Sequence, residues 1–163
     1  MPKQIKKNVL RKGEKKSRIA AVVSMVCALA FAVVVIILLP SLTEDESPVK
    51  AAIITAGFVI FTASCVVHLV LSFICYKREM NFTVLFQGIV SSLSTFFCLV
   101  NFRFMTVLLL SGLKLDSAAE SLVGDMTMTE FVSSQTSGWV CMIIAAVAMI
   151  VLGILGITRL AKR

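Results

Sequence analysis

Residues 51–112 read AAIITAGFVIFTASCVVHLVLSFICYKREMNFTVLFQGIVSSLSTFFCLVNFRFMTVLLLSG. Two apolar runs flank the basic turn Lys77-Arg78-Glu79-Met80-Asn81. The first, Ala51–Tyr76, would be about 39 Å long as an α-helix, enough to cross about 30 Å of hydrocarbon with some tilt. The second, Phe82–Gly112, is too long for an upright span. It is expected either to tilt strongly or to leave the bilayer near Asn101-Phe102-Arg103 and follow the interface. The short connection makes the two runs antiparallel neighbours.

Outward from this pair the pattern repeats. Ile19–Leu39 is a first span of about 32 Å, with Pro40 expected to end it. It is too long for the apolar core of a cleaved signal peptide, and no small-x-small site follows. Pro48 suits the start of the next helix. Residues 139–157 form a fourth span, with Trp139 placed as an interfacial anchor. The sequence therefore predicts an all-α, integral membrane four-helix bundle over residues 19–158, with spans at about 19–39, 51–76, 82–112 and 139–157. Residues 1–18 form a basic arm, 113–138 an outer loop and 159–163 a basic tail. Within the loop, Ser117–Val132 fits a short amphipathic helix, interrupted by Gly124.

Apolar residues make up 58% of the chain and charged residues 15%, well below the roughly 25% charged in soluble domains. So much apolar surface has its natural outlet in lipid. The net charge of +7 is distributed as an orientation signal. Eight basic residues precede residue 19, two lie in the turn and three in the tail, against the acids Glu14 and Glu79. The two remaining loops hold Lys50 and Lys114 with seven acids. The positive-inside rule then puts both termini in the cytoplasm, at the cell membrane. The sequon Asn81-Phe82-Thr83 would face the cytoplasm and stay unglycosylated.

The arm is expected to stay flexible and to contact anionic lipid headgroups, at roughly 1 kcal/mol per basic residue near the surface. Nothing beside it supports nucleic-acid binding. The five cysteines, Cys27, Cys65, Cys75, Cys98 and Cys141, all fall within or beside apolar runs. Without CxxC or Cys/His spacing they read as small buried residues, so no metal site or disulfide framework is expected.

Association of helices in lipid relies on close packing and hydrogen bonds. Ala20, Ser24, Ala28 and Ala32 form a ridge of small residues at i, i+4 spacing. On the second span Ala52, Ala56, Ile60, Ser64, His68 and Ser72 share one ridge. On the third, Gln87, Ser91, Ser94, Cys98 and Asn101 alternate steps of four and three, the seam of a left-handed pair.

The candidate polar cluster is therefore His68, Ser64, Ser72, Gln87, Ser91, Ser94, Asn101 and Arg103. His68 lies about 12 Å inside its span, level with residues 90–94, so Ser91 or Ser94 is in reach of the imidazole. Two readings stay open: structural hydrogen bonding, or proton or ligand handling. Arg103 falls near the outer interface, where it can snorkel or pair with residues 44–46 or the loop acids. If the span starts later, it faces the bundle with Asn101 as an anion site.

No catalytic or cofactor-binding constellation is present. There is one histidine, no acid pair within a span and no glycine-rich phosphate loop. The layout resembles the tetraspan membrane proteins in topology alone. It has neither the Cys-Cys-Gly of tetraspanins nor the cysteine pair of claudins, so no residue role carries over. The expectation is a non-enzymatic protein acting by lateral helix association, as a homo-oligomer or with another membrane protein. The alternative is a small transporter or channel with a polar path between spans two and three.

Overall fold

The computed structural model describes residues 2–44, 48–125, 130 and 134–161. Apart from short turns the described residues are helical, with no strand among them. The helices are α1 (Pro2–Glu44), α2 (Pro48–Glu79), α3 (Phe82–Val100), α4 (Phe102–Gly112), α5 (Asp116–Val123) and α6 (Thr136–Ala161). Four segments are long and apolar enough to cross a membrane: Glu14–Leu38, Pro48–Arg78, Phe82–Val100 and Thr136–Thr158. They pack in a ring in which α1 and α3 each touch both α2 and α6.

Several expectations need correction. The basic arm is not a separate segment; its backbone is helical and is the first part of α1. The buried face starts before the apolar run does, since Ser17 and Ala21 lie on it at i, i+4 spacing. Pro40 does not end α1, which runs on to Glu44. A proline removes one backbone donor, and a last turn can continue past it. The turn between α2 and α3 shrinks to Met80 and Asn81, because Lys77, Arg78 and Glu79 stay helical. Met80 takes a left-handed φ of 47°, and the Asn81 side chain caps α3 by accepting from the Thr83 N–H at 3.0 Å.

The long third run breaks at Asn101, between α3 and α4. Beyond it, α4 packs on α2 and α5. Its Phe104, Met105 and Val107 are buried. The loop helix α5 stops at Gly124, whose φ of 75° suits a residue without a Cβ. The remainder of the expected 117–132 helix includes residues 126–129 and 131–133, which lie outside the described residues.

The apolar centre is aromatic. Phe31 of α1 stacks on Phe61 of α2 with ring centroids 5.7 Å apart, and Phe58 lies 6.1 Å from Phe31. A Cβ at Gly57 would meet the Phe31 ring at 3.3 Å, so the missing side chain admits that ring. Trp139 makes a contact inside the bundle. It packs edge-on against Phe104, centroids 5.0 Å apart, and joins α6 to α4.

Candidate functional site: a divided polar seam

The ridge of α1 turns inward. Ala20, Ser24 and Ala28 are buried and Ala32 is half-buried. The Ser24 hydroxyl donates to the Ser64 carbonyl of α2 at 3.1 Å. One turn round, α1 meets α6 through glycines. A Cβ at Gly153 would collide with Met25, and one at Gly156 would sit 3.3 Å from the Arg18 carbonyl oxygen. These two glycines form no ridge in the sequence, yet they set how closely α6 approaches α1.

The α2 ridge winds from outside to inside. Ala52, Ala56 and Ile60 are exposed, Ser64 is half-buried, and His68 and Ser72 are fully buried. On α3, Gln87, Ser91, Ser94, Cys98 and Asn101 are all buried. A 3–4 alternation keeps side chains on the one face that meets α2 and α6.

The polar residues do not form one cluster. Near the basic end, the Ser17 hydroxyl donates to Gln87 Oε1 at 2.6 Å and lies 3.4 Å from the Ser72 hydroxyl. One or two turns deeper, the Ser91 hydroxyl donates to the Cys65 carbonyl at 2.7 Å, and Thr95 to the Ser91 carbonyl at 2.8 Å. Asn101 sits at the far end of α3. Its amide donates to the carbonyls of Phe97 at 2.8 Å and Gly138 at 3.0 Å. A Cβ at Gly138 would strike the Asn101 side chain. This is what holds the break in the third run against the start of α6.

Arg103 stands apart from the seam. It is exposed, and its Nε and Nη2 both donate to the Leu122 carbonyl in the last turn of α5. A cation at a helix C-terminus satisfies an orphan carbonyl and suits the dipole. The expected acid partners Asp45 and Glu46 lie outside the described residues.

His68 departs from expectation. Ser91 is committed to the Cys65 carbonyl, so it does not hold the imidazole. The Gln87 side chain is a neighbour of the ring, but among the described residues neither ring nitrogen meets a partner at hydrogen-bond geometry. A sealed polar group without a partner is costly.

Sequence reasoning missed Ser17, Thr95, Gly138 and the Glu14–Arg18 pair. Ser17 was hidden in the basic arm, although it extends the Ala21–Ser24–Ala28 face back by one turn. The Arg18 guanidinium donates to Glu14 at i, i+4 spacing, and Arg18 is only 7% exposed.

Two hollows adjoin the seam. A groove of about 510 Å³ runs between α1 and α2, with Ala20, Ser24, Cys27, Ala63 and Ser64 on its walls beside the larger Ile19, Val23, Ile60, Val67 and Leu71, His68 also lining it and Lys16 at the basic end. A cavity of about 250 Å³ opens between α1, α3 and α6, lined by Arg18, Phe82, Thr83, Phe86, Gln87, Leu152 and Leu155. Among the described residues no group of three or more His, Cys, Asp or Glu side chains is placed to hold a metal. No family model matches the chain, and no curated protein or solved structure matches it.

Proposed function

We propose that the chain is a multi-pass protein of the cell membrane that acts without catalysis, by lateral association of its helices. Both termini and the α2–α3 turn face the cytoplasm in this reading. The support for that orientation is the charge distribution. In addition, Arg18 of α1, Phe82 of α3 and Leu155 of α6 line one cavity, so the basic segments gather at one end.

The observation that carries the association reading is the outward face of α2. Ala52, Ala56, Ile60 and Ala63 are exposed, and the groove beside them, with Ala20, Ser24, Cys27, Ala63 and Ser64 among its lining residues, opens outward. Small side chains let another helix approach closely in lipid. The partner is a second copy or another membrane protein. Chemical crosslinking in native membranes, followed by purification in mild detergent, tests this. A crosslinked oligomer or partner is expected, reduced by Ala56→Leu and Ala63→Leu. A monodisperse monomer with no crosslinked partner would overturn it.

The second reading, a transporter or channel along the seam, is favoured by one observation: His68 is buried with neither ring nitrogen hydrogen-bonded among the described residues. Against it, the hydroxyls of Ser24, Ser91 and Thr95 are committed to backbone carbonyls. Flux of protons, ions or small solutes into proteoliposomes, lost in His68→Ala, would promote this reading. Absence of flux would remove it for those species.

A further inference from the structure

We propose that the cavity between α1, α3 and α6 holds the phosphate of an anionic phospholipid, with Arg18 as its principal ligand. The proposal takes from the previous reading only that the chain lies in a bilayer; it does not need lateral association.

A cationic side chain at the end of a span ordinarily snorkels into water or headgroups. Arg18 instead is 7% exposed, and it lines a cavity whose other walls are mostly apolar. Its Nη2 donates to Glu14. A guanidinium has five N–H donors in a planar fork, and no further protein partner for them occurs among the described residues. That fork matches two phosphate oxygens, which a lysine ammonium cannot do as well.

The surroundings favour an anion despite Glu14. Lys15, Lys16, Lys77 and Arg78 are exposed on the same end. Phe82 and Thr83 bring the first turn of α3 to the cavity, where the helix dipole is positive. The Thr83 hydroxyl supplies a further donor.

The cavity also has the polarity gradient of a lipid. Arg18 and Thr83 lie at the basic end; Phe86 and Leu152 lie one turn deeper, with Gln87 beside them, its amide oxygen taken up by Ser17. Its volume, about 250 Å³, admits a phosphoglycerol group and not a whole lipid. Acyl chains leaving it would run over Phe82, Phe86 and Leu155, which are 77%, 50% and 50% exposed. A free phosphate ester would leave those faces uncovered, so the bilayer lipid is the occupant.

The test uses the full chain in mild detergent and native mass spectrometry with phosphatidylglycerol or phosphatidylcholine at equal mole fraction. One phosphatidylglycerol per chain should be retained, about five-fold more than phosphatidylcholine, as one basic contact to an anionic lipid implies. Arg18→Gln should remove that preference. Thr83→Leu, which leaves the Arg18–Glu14 pair intact, should lower retention about three-fold or more and keeps the test alive if Arg18→Gln does not fold. Replacing Lys3, Lys6 and Lys7 by Gln should leave the single bound lipid in place. Equal retention of the two lipids, unchanged retention in both cavity variants, or equal loss in the arm variant would overturn the proposal. So would displacement by glycerol 3-phosphate at concentrations matching the lipid. A monomer that still retains the lipid would sink the association reading and leave this one standing.

Discussion

Toward the basic end, helices meet through hydroxyls, small side chains and one amide: Ser17 with Ser72 and Gln87, Ser24 with the Ser64 carbonyl, Gly88 against Ser72. Toward the other end, apart from the Asn101–Gly138 contact, they meet through rings and a thioether: Phe31, Phe58, Phe61, Phe104, Met105 and Trp139. The first half decides how closely and in what register the helices lie. The second supplies most of the contact energy. Helix–helix hydrogen bonds in membrane proteins average only about 0.6 kcal/mol, whereas truncating a packed aromatic costs about 3–5 kcal/mol. Polarity within this seam thus sets geometry more than it adds stability.

The strongest way to break that comparison is Phe61→Ala. It removes a fully buried ring stacked on Phe31, and should cost about 3–5 kcal/mol, read from reversible unfolding in mixed detergent. A loss below about 1 kcal/mol would mean the aromatic half is not the energetic one. Asn101→Ala comes next. It strips two carbonyls of their donor at the α3–α4 break and should cost about 1–3 kcal/mol. Faster amide exchange at residues 97–105 would locate the damage.

Gly153→Ala probes spacing without touching polarity. The new methyl collides with Met25, and overpacking of this kind costs about 1–3 kcal/mol. Ser91→Ala sharpens the contrast from the other side. It deletes one hydrogen bond between α2 and α3 and should cost only about 0.6 kcal/mol. A Ser91→Ala loss as large as that of Phe61→Ala would erase the distinction between the halves.

Local pattern carried much of this fold and little of its site. Ser24 and Ala28 lie on a face whose i, i+4 spacing is visible in the residues. The 3–4 alternation from Gln87 to Asn101 is visible in the same way. Asn101-Phe102-Arg103 marked the break in the third run, because polar side chains cluster there within an apolar stretch. Gly138 gave no such signal. Its role depends on a side chain 37 residues away in sequence, and only the folded chain brings them together. The same holds for Gly153 with Met25 and for Ser17 with Gln87. The imidazole of His68 was within reach of serines by depth alone, but rotation about the α3 axis sends the Ser91 hydroxyl to a backbone carbonyl instead.

What the amino-acid order determined was therefore set by periodicity and transfer to an apolar phase: four long apolar helices, their order, and the side of each that is small or polar. Both properties are summed over many residues in one element and need no neighbour to be defined. What tertiary structure alone decided is which polar groups satisfy one another, where the helices come closest, and that Arg18 faces a cavity between three helices. Those depend on rotations and offsets between elements far apart in sequence, where a shift of one residue changes every partner.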